Sequence, residues 1–258
     1  MKADFSIERA PILEGVAHGF FGSASGAHQF GYGGPGAAED VRALRAAAAQ
    51  AIAPGARLVA PHQEHTPDVI TVGEVRGEVW GDVWDDTPEG RPVADALVTA
   101  SQGLALGVVT ADCAPVLLAD VEAGVIGAAH AGWRGAKEGV LPSTVGAMEL
   151  MGADRSRIVA AIGPTIAQQS YEVDAPFRER FTPEDDRHFA AAPARDGLAR
   201  WRFDLPGYVA AQLERADIWA VHDLGRDTFA SSERYHSYRR AALRGEPNYG
   251  RQIALIAL

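Results

Sequence analysis

The 258-residue sequence predicts an α+β fold in one domain, residues 1–258, with mixed β-sheets flanked by helices. Three observations carry that expectation. Apolar runs of strand length and helical segments are mixed without the regular βαβ repeat of a doubly wound sheet. Hydrophobic residues make up 47% of the chain and charged residues 22%, an ordinary globular composition. No linker or internal repeat divides the chain, although at roughly 150 residues per domain its length would allow two small ones.

Residues 15–23 (GVAHGFFGS) read as an early strand, and the glycine-rich 31–36 (GYGGPG) as a flexible loop. Glu39 or Asp40 starts a helix reaching Gln50, favoured by four consecutive alanines and stopped before Pro54. Residues 57–60 and 68–75 are short strands around the polar loop PHQEHTPD, and the acidic, tryptophan-bearing 76–92 is a hairpin or surface excursion. Three apolar runs, 104–110, 116–120 and 125–130, have the pattern of adjacent buried strands. A helix over 139–151 and a strand over 157–162 follow. Residues 206–215 form an amphipathic helix with proline in its first turn, and 218–222 a strand. The chain closes with a helix over 231–243, opened by a Ser-Ser cap, and a terminal strand over 252–258.

Composition excludes several functions. A net charge of −10 argues against broad electrostatic binding to nucleic acid or an anionic membrane. No run of about 18 apolar residues exists to span a bilayer. The N-terminal MKADFSIERAPILEG carries acids and a proline where a signal peptide has its apolar core, so a cytoplasmic location is expected. One cysteine, Cys113, allows no intrachain disulfide, four-cysteine zinc site or single-chain iron–sulfur cluster. There is no H-E-x-x-H and no P-loop motif, and His62-Gln63-Glu64 lacks the second cysteine of a zinc nucleobase deaminase. Eight histidines without an H-x-H pair weigh against type-1 plus trinuclear copper, which needs about ten.

Chemistry concentrates where strands end. Cys113 sits in the polar break Thr110-Ala111-Asp112-Cys113, and His130 ends a later run at His-Ala-Gly-Trp-Arg-Gly. One strand out, a turn and one strand back return the chain to the same edge, so Cys113 and His130 can meet. His62 and His65 lie in a loop that can approach that edge and compete for one position. Two imidazoles and a thiolate are a donor set for zinc with a fourth position open, and without metal a Cys–His nucleophilic pair is the alternative. The competing role for Cys113 is a small buried hydrophobe. Asp112 is a candidate orienter or proton carrier, and Arg134, in a glycine-flanked turn before a helix, a candidate phosphate or carboxylate contact.

TADCAPVLLAD (110–120), AAHAGWRGAKEGVL (128–141), GPTIAQQSYEV (163–173) and HSYRR (236–240) resemble the successive signatures of the multicopper polyphenol oxidoreductase, or laccase-domain, family. That family is also called the peptidoglycan-editing factor or purine nucleoside phosphorylase family. HGFF (18–21) and Gln63-Glu64-His65-Thr66 match more weakly. The resemblance implies a fold similar to the catalytic domain of cytotoxic necrotizing factor toxins. It implies one zinc, with copper as the alternative, held by His65, Cys113 and His130. The implied activity is phosphorolysis of adenosine, inosine or methylthioadenosine and deamination of adenosine, with a purine nucleoside and phosphate as partners. Alternatives at the same site are a hydrolase editing peptidoglycan precursors and a polyphenol oxidoreductase; a metal-binding protein with a decayed pocket is the non-enzymatic rival. The chain departs from the family at Gly22-Ser23-Ala24-Ser25-Gly26, at Leu44-Arg45 (Asn-Arg expected), at Asp227-Thr228 (Cys-Thr expected) and in a longer 76–92 loop.

Overall fold

The computed structural model describes residues 4–75 and 78–258. In chain order the first half forms β1 (Ile7–Glu8), β2 (Ala17–Phe21), α1 (Ala38–Ile52), β3 (Arg57–Val59), β4 (Val69–Thr71), β5 (Gly73–Val75), β6 (Glu78–Gly81), β7 (Ala96–Thr99), β8 (Leu104–Thr110), β9 (Ala114–Asp120) and β10 (Val125–Ala131). There follow α2 (Trp133–Glu138), α3 (Val140–Leu150), β11 (Val159–Ile162), β12 (Glu172–Val173), α4 (Ala175–Arg178), β13 (Phe189–Arg195), β14 (Leu198–Phe203), α5 (Leu205–Arg215), β15 (Ala220–Asp223), α6 (Tyr238–Leu243) and β16 (Gln252–Ala257).

Two mixed sheets dominate, ordered β1-β2-β16-β8-β3 and β15-β11-β9-β10-β7-β4. Their strands are apolar on both faces because each face covers a different core. Along β16, Ile253, Leu255 and Ala257 pack with Ala48 and Ala49 of α1, while Ala254 and Ile256 turn the other way. There they meet Leu117 and Ala119 of β9 and Ile126 and Ala128 of β10. Val116 and Leu118, the alternate residues of β9, face Val145 and Met148 of α3 and Val209 and Leu213 of α5. The layers are therefore helix, five-stranded sheet, six-stranded sheet, helices. A three-stranded sheet, β12-β14-β13, and the β5-β6 hairpin are appended. Among the described residues no helix is long and apolar enough to cross a membrane.

Three expectations need correction, one hairpin was not anticipated, and another is relocated. The runs 104–110, 116–120 and 125–130 are not three neighbours: β9 pairs with β10, but β8 belongs to the other sheet, and the chain changes sheets at 111–113. The 68–75 run is two strands in different sheets, broken where Gly73 takes φ +89. The final helix starts at Tyr238, because the residue that caps it is Ser237, accepting from the amide of Arg240, instead of the Ser231-Ser232 pair. The β13–β14 hairpin had no counterpart in the sequence reading, although its Asp196-Gly197 turn, with both φ positive, is a recognisable hairpin signal. The hairpin expected within 76–92 is β5–β6, beginning at Gly73; residues 76 and 77 lie outside the described residues.

Candidate metal centre

Strand register brings the first two candidates together. In the β9–β10 pair, Ala114 lies opposite Ala131 and Pro115 opposite His130, so Cys113, one residue before β9, is beside the end of β10. His65 arrives on the loop between β3 and β4 in the left-handed region at φ 63, unusual for a residue with a Cβ. That loop is pinned on both sides. The Gln63 amide donates to the Val109 carbonyl at 2.8 Å and accepts from the Val109 amide at 2.9 Å. From the other side Oδ2 of Asp95 accepts from the amides of Glu64 and Thr66 and the hydroxyl of Thr66. The second oxygen of Asp95 lies 2.6 Å from Nδ1 of His130. One fully buried carboxylate thus orients the His130 ring and pins the loop that carries His65.

Burial alone raises the Asp95 carboxyl pKa, but the His130 hydrogen bond and charge and the Thr66 and Glu64 amides outweigh it and bring it down to about 2. An ionised Asp95 requires a proton on His130 Nδ1, which leaves Nε2 for the cavity. For Cys113, burial raises the thiol, and the charge and hydrogen bonds of His130 with those of His65 bring it down to about 6. His130 is pushed down by burial and carried up to about 9 by Cys113 and Asp95. Each partner favours the charged form of the other, a thiolate beside an imidazolium, and a cation can take the place of the imidazolium proton.

His65 Nε2 lies 3.6 Å from Cys113 Sγ, and the ligand atoms of His65, Cys113 and His130 all lie within 4.8 Å of one another. Tetrahedral bonds of about 2.3 Å to sulfur and about 2.05 Å to nitrogen place those two atoms about 3.6 Å apart. The Cys113–His65 spacing matches that value, the three ligand atoms are gathered within 4.8 Å, and the donor chemistry suits one divalent cation. Gly132 is required by space: a Cβ there would lie 2.7 Å from His65 Cδ2 and 2.9 Å from Cys113 Sγ.

The remaining candidates separate. Asp112, at φ 82, accepts from the Thr228 and Ser237 hydroxyls and the Arg239 amide, while its carbonyl accepts from Ile166 and Thr165. It braces the Cys113 turn against the C-terminal segments and makes no hydrogen bond to His130. Burial raises its pKa against the pull of these donors. Arg134 is exposed, lies over the Trp133 ring and is absent from the lining of both cavities at the cluster. His62 lines the larger cavity and pairs with Glu64 at 3.4 Å.

The cluster stands between two chambers that share His65, Ala111, Cys113 and Tyr238. The larger, of about 480 Å³, carries Arg45, Arg91 and Arg251. The smaller, of about 160 Å³, is walled by Trp133, Ile166, Tyr171 and Leu205. Sequence reasoning did not find Asp95, Arg91 or Arg251. For Asp95 a signal existed, an acid inside the apolar run Ala94–Thr99; a single arginine in a turn-rich stretch gives none. The departure at 22–26 lines a separate polar cavity with Glu233 and Tyr235. Asp227 accepts from the Ser170 hydroxyl and the Ala167 and Phe229 amides, which gives this departure a structural part.

Residues 14–258 match the family described as multi-copper polyphenol oxidoreductase laccase. A Streptomyces coelicolor protein named purine nucleoside phosphorylase SCO2081 is 41% identical over 189 residues, 72% of this chain and 70% of its own. Purine nucleoside phosphorylase RC0672 of Rickettsia conorii is 36% identical over 60% of this chain and 64% of its own. Among solved structures, protein NMB0706 of Neisseria meningitidis superposes with TM-score 0.79 at 27% identity, covering 99% of both chains. YlmD from Geobacillus stearothermophilus gives 0.76 at 27% identity, covering 96% of this chain and 93% of that one.

Proposed function

The chain belongs to the multi-copper polyphenol oxidoreductase laccase family, and on that premise we propose that it is a zinc-dependent purine nucleoside phosphorylase. The observation that carries the reading is the convergence of His65, Cys113 and His130, with Asp95 setting the tautomer of His130. The reading takes residues 1–258 as one cytoplasmic domain of the cytotoxic necrotizing factor catalytic type. His65 Nε2, Cys113 Sγ and His130 Nε2 are the ligands. Zinc held there would supply positive charge beside an oxygen nucleophile, and the one such group of three among the described residues is matched to one ion, even though copper accepts the same donors.

In phosphorolysis a phosphate oxygen bonds to ribose C1′ while the C1′–N9 bond breaks. The electron pair goes to N9 of the purine, which takes up the proton given by dihydrogen phosphate. The aromatic slot of Trp133 and Tyr171 suits the flat base, and the arginine-bearing chamber suits polar and charged groups. Asp95 keeps the proton on His130 Nδ1, and Asp112 holds the turn that presents Cys113. Adenosine, inosine and methylthioadenosine are the substrates to compare, together with deamination of adenosine, in which water adds at C6 and ammonia leaves.

Cys113→Ala tests the reading. Zinc content of the purified protein and phosphate-dependent release of base from adenosine and inosine are measured together. The expected result is loss of stoichiometric zinc and a fall in turnover of at least 100-fold. Full turnover by the variant defeats the assignment.

A further inference from the structure

We propose that Arg91 and Arg251 form a subsite for a phosphoryl group in the larger chamber beside the His65–Cys113–His130 cluster. The inference deepens the phosphorylase reading, since free phosphate is one source of such a group; a phosphate ester carried on a nucleoside is the other.

The chain as a whole carries −10, yet three guanidinium groups line this one cavity. Asp86 is the carboxylate among them, and it is consumed by Arg45, which holds it through Nε at 2.6 Å and Nη2 at 2.7 Å. Arg91 and Arg251 form no ion pair among the described residues. Arg91 Nη1 donates to the Pro61 carbonyl and Arg251 Nη2 to the Tyr249 hydroxyl, both neutral acceptors. Arg91 Nε and Arg251 Nη1 are buried without any hydrogen-bond partner. Glu89 acts on Arg91 only at longer range than an ion pair, and Asp86 is held by Arg45, so the half-buried wall carries an excess of positive charge with no carboxylate paired to Arg91 or Arg251. Burying a cation without a counter-charge is costly, and such an arrangement is stable in use when an anion completes it. A phosphoryl group matches the surplus in sign, and its oxygens accept the paired donors that a guanidinium offers.

The guanidinium planes are also held in place before any ligand arrives. Arg45 and Arg91 lie over the Tyr32 ring at 4.9 and 5.0 Å, and Arg251 over the Tyr249 ring at 4.4 Å. Gly31 leaves room for the Arg251 stem, because a Cβ there would lie 2.6 Å from Cδ. Prior ordering of this kind lowers the entropic cost of binding.

The test is calorimetric titration of the metal-loaded protein with inorganic phosphate and, separately, with adenosine 5′-monophosphate. Arg91→Met and Arg251→Met are each expected to weaken anion binding tenfold or more, while Arg42→Met, on the exposed face of α1, leaves it within twofold. Arg91→Lys and Arg251→Lys keep the charge but lose the fork, so they give intermediate losses of threefold to tenfold and serve if a methionine variant fails to fold. Free phosphate as the source predicts a raised KM for phosphate with KM for the nucleoside within threefold. An ester as the source predicts that the monophosphate binds at least tenfold more tightly than phosphate alone. Binding of neither anion by the parent protein, or undiminished binding in the variants, overturns the subsite. Calorimetry needs no turnover, so absence of phosphorolysis would sink the functional reading while leaving this measurement readable.

Discussion

Replacing Asp95 by asparagine tests how the candidate centre is held. Three donors converge on Oδ2 of Asp95, two of them backbone amides that cannot rotate away: Thr66 at 2.7 Å and Glu64 at 3.0 Å. In Asp95→Asn the amide oxygen must therefore take the Oδ2 position, which places the NH2 group where Oδ1 now faces His130 Nδ1 at 2.6 Å. Two donors cannot share that contact. His130 must become an acceptor at Nδ1 and carry its proton on Nε2, the atom assigned to the cation. The loop bonds survive, so the fold survives, while the ligand is in the wrong tautomer.

Loss of an outer partner of a metal-binding histidine costs 10–100-fold in affinity. Here both the tautomer and the negative charge are lost, so the expected effect is at or above 100-fold, about 2.7 kcal/mol. The metal-free protein loses one charge-assisted hydrogen bond, about 1.5–3 kcal/mol, or roughly 3–12 °C in Tm for a chain of this size. Competition with a chromophoric chelator measures the zinc affinity, and nitrogen chemical shifts of the His130 ring report the tautomer. Zinc affinity within threefold of the parent, or a proton still on Nδ1, would refute the argument that this carboxylate sets the centre.

Gly132→Ala keeps an allowed backbone, since φ −71 and ψ 165 suit any residue, but its Cβ enters the space of His65 and Cys113. Zinc affinity should fall at least tenfold with Tm shifted by only about 2–4 °C, as chelator competition and thermal melts will show. Asp86→Ala leaves the 1%-exposed Arg45 without its carboxylate. Breaking such a buried pair costs about 3–5 kcal/mol, visible as a lower urea midpoint with unchanged m; an unchanged midpoint contradicts the pairing. Asp120 is fully buried, and although burial raises its pKa, Arg157 and the Asp154 and Ala123 amides prevail and lower it. A carboxyl ionised more readily folded than unfolded contributes stability in full above about pH 4 and loses it as pH falls through the folded value. Asp120→Asn should therefore be less stable than the parent at pH 7 and show a flatter acid limb in urea melts between pH 5 and 2.

The half of the centre that depends on local chain geometry was legible in the sequence. A strand, a turn and a returning strand must bring positions 113 and 130 to one edge, and β9–β10 pairing does so. Placing His65 there needed the family resemblance, because a loop residue at positive φ has no periodicity to read. Asp95 was marked in the sequence only as an acid inside an apolar run, and its role, like those of Arg91 and Arg251, was not legible because it is tertiary. Asp95 couples strand β10 to a loop some 30 residues upstream of it, and the arginines converge from the start of β7's approach and the start of β16. Hydrophobic period tells which face of a strand is buried but not against which partner, which is why β8 looked like the neighbour of β9 and proved to belong to the other sheet.

That change of sheet also explains why the centre stands where it does. Between β8 and β9 the chain leaves one sheet for the other, so residues 111–113 have no ladder to join and their polar groups need other partners. Asp112 supplies them, its carboxylate and carbonyl together taking donors from residues 165, 166, 228, 237 and 239. Both non-glycine residues at positive φ in the cluster's vicinity, His65 and Asp112, are held by buried carboxylates: Asp95 for the loop of His65, and its own side chain for Asp112. Left-handed backbone at such residues costs on the order of 1–3 kcal/mol each, which two carboxylates accepting three donors apiece from these segments can offset. Glycine at 112 would relieve the strain and leave the Thr228, Ser237 and Arg239 donors unanswered. The strained aspartate is thus the cheaper arrangement only while the turn must stay fixed, and the thiol that follows it is what the fixed turn presents.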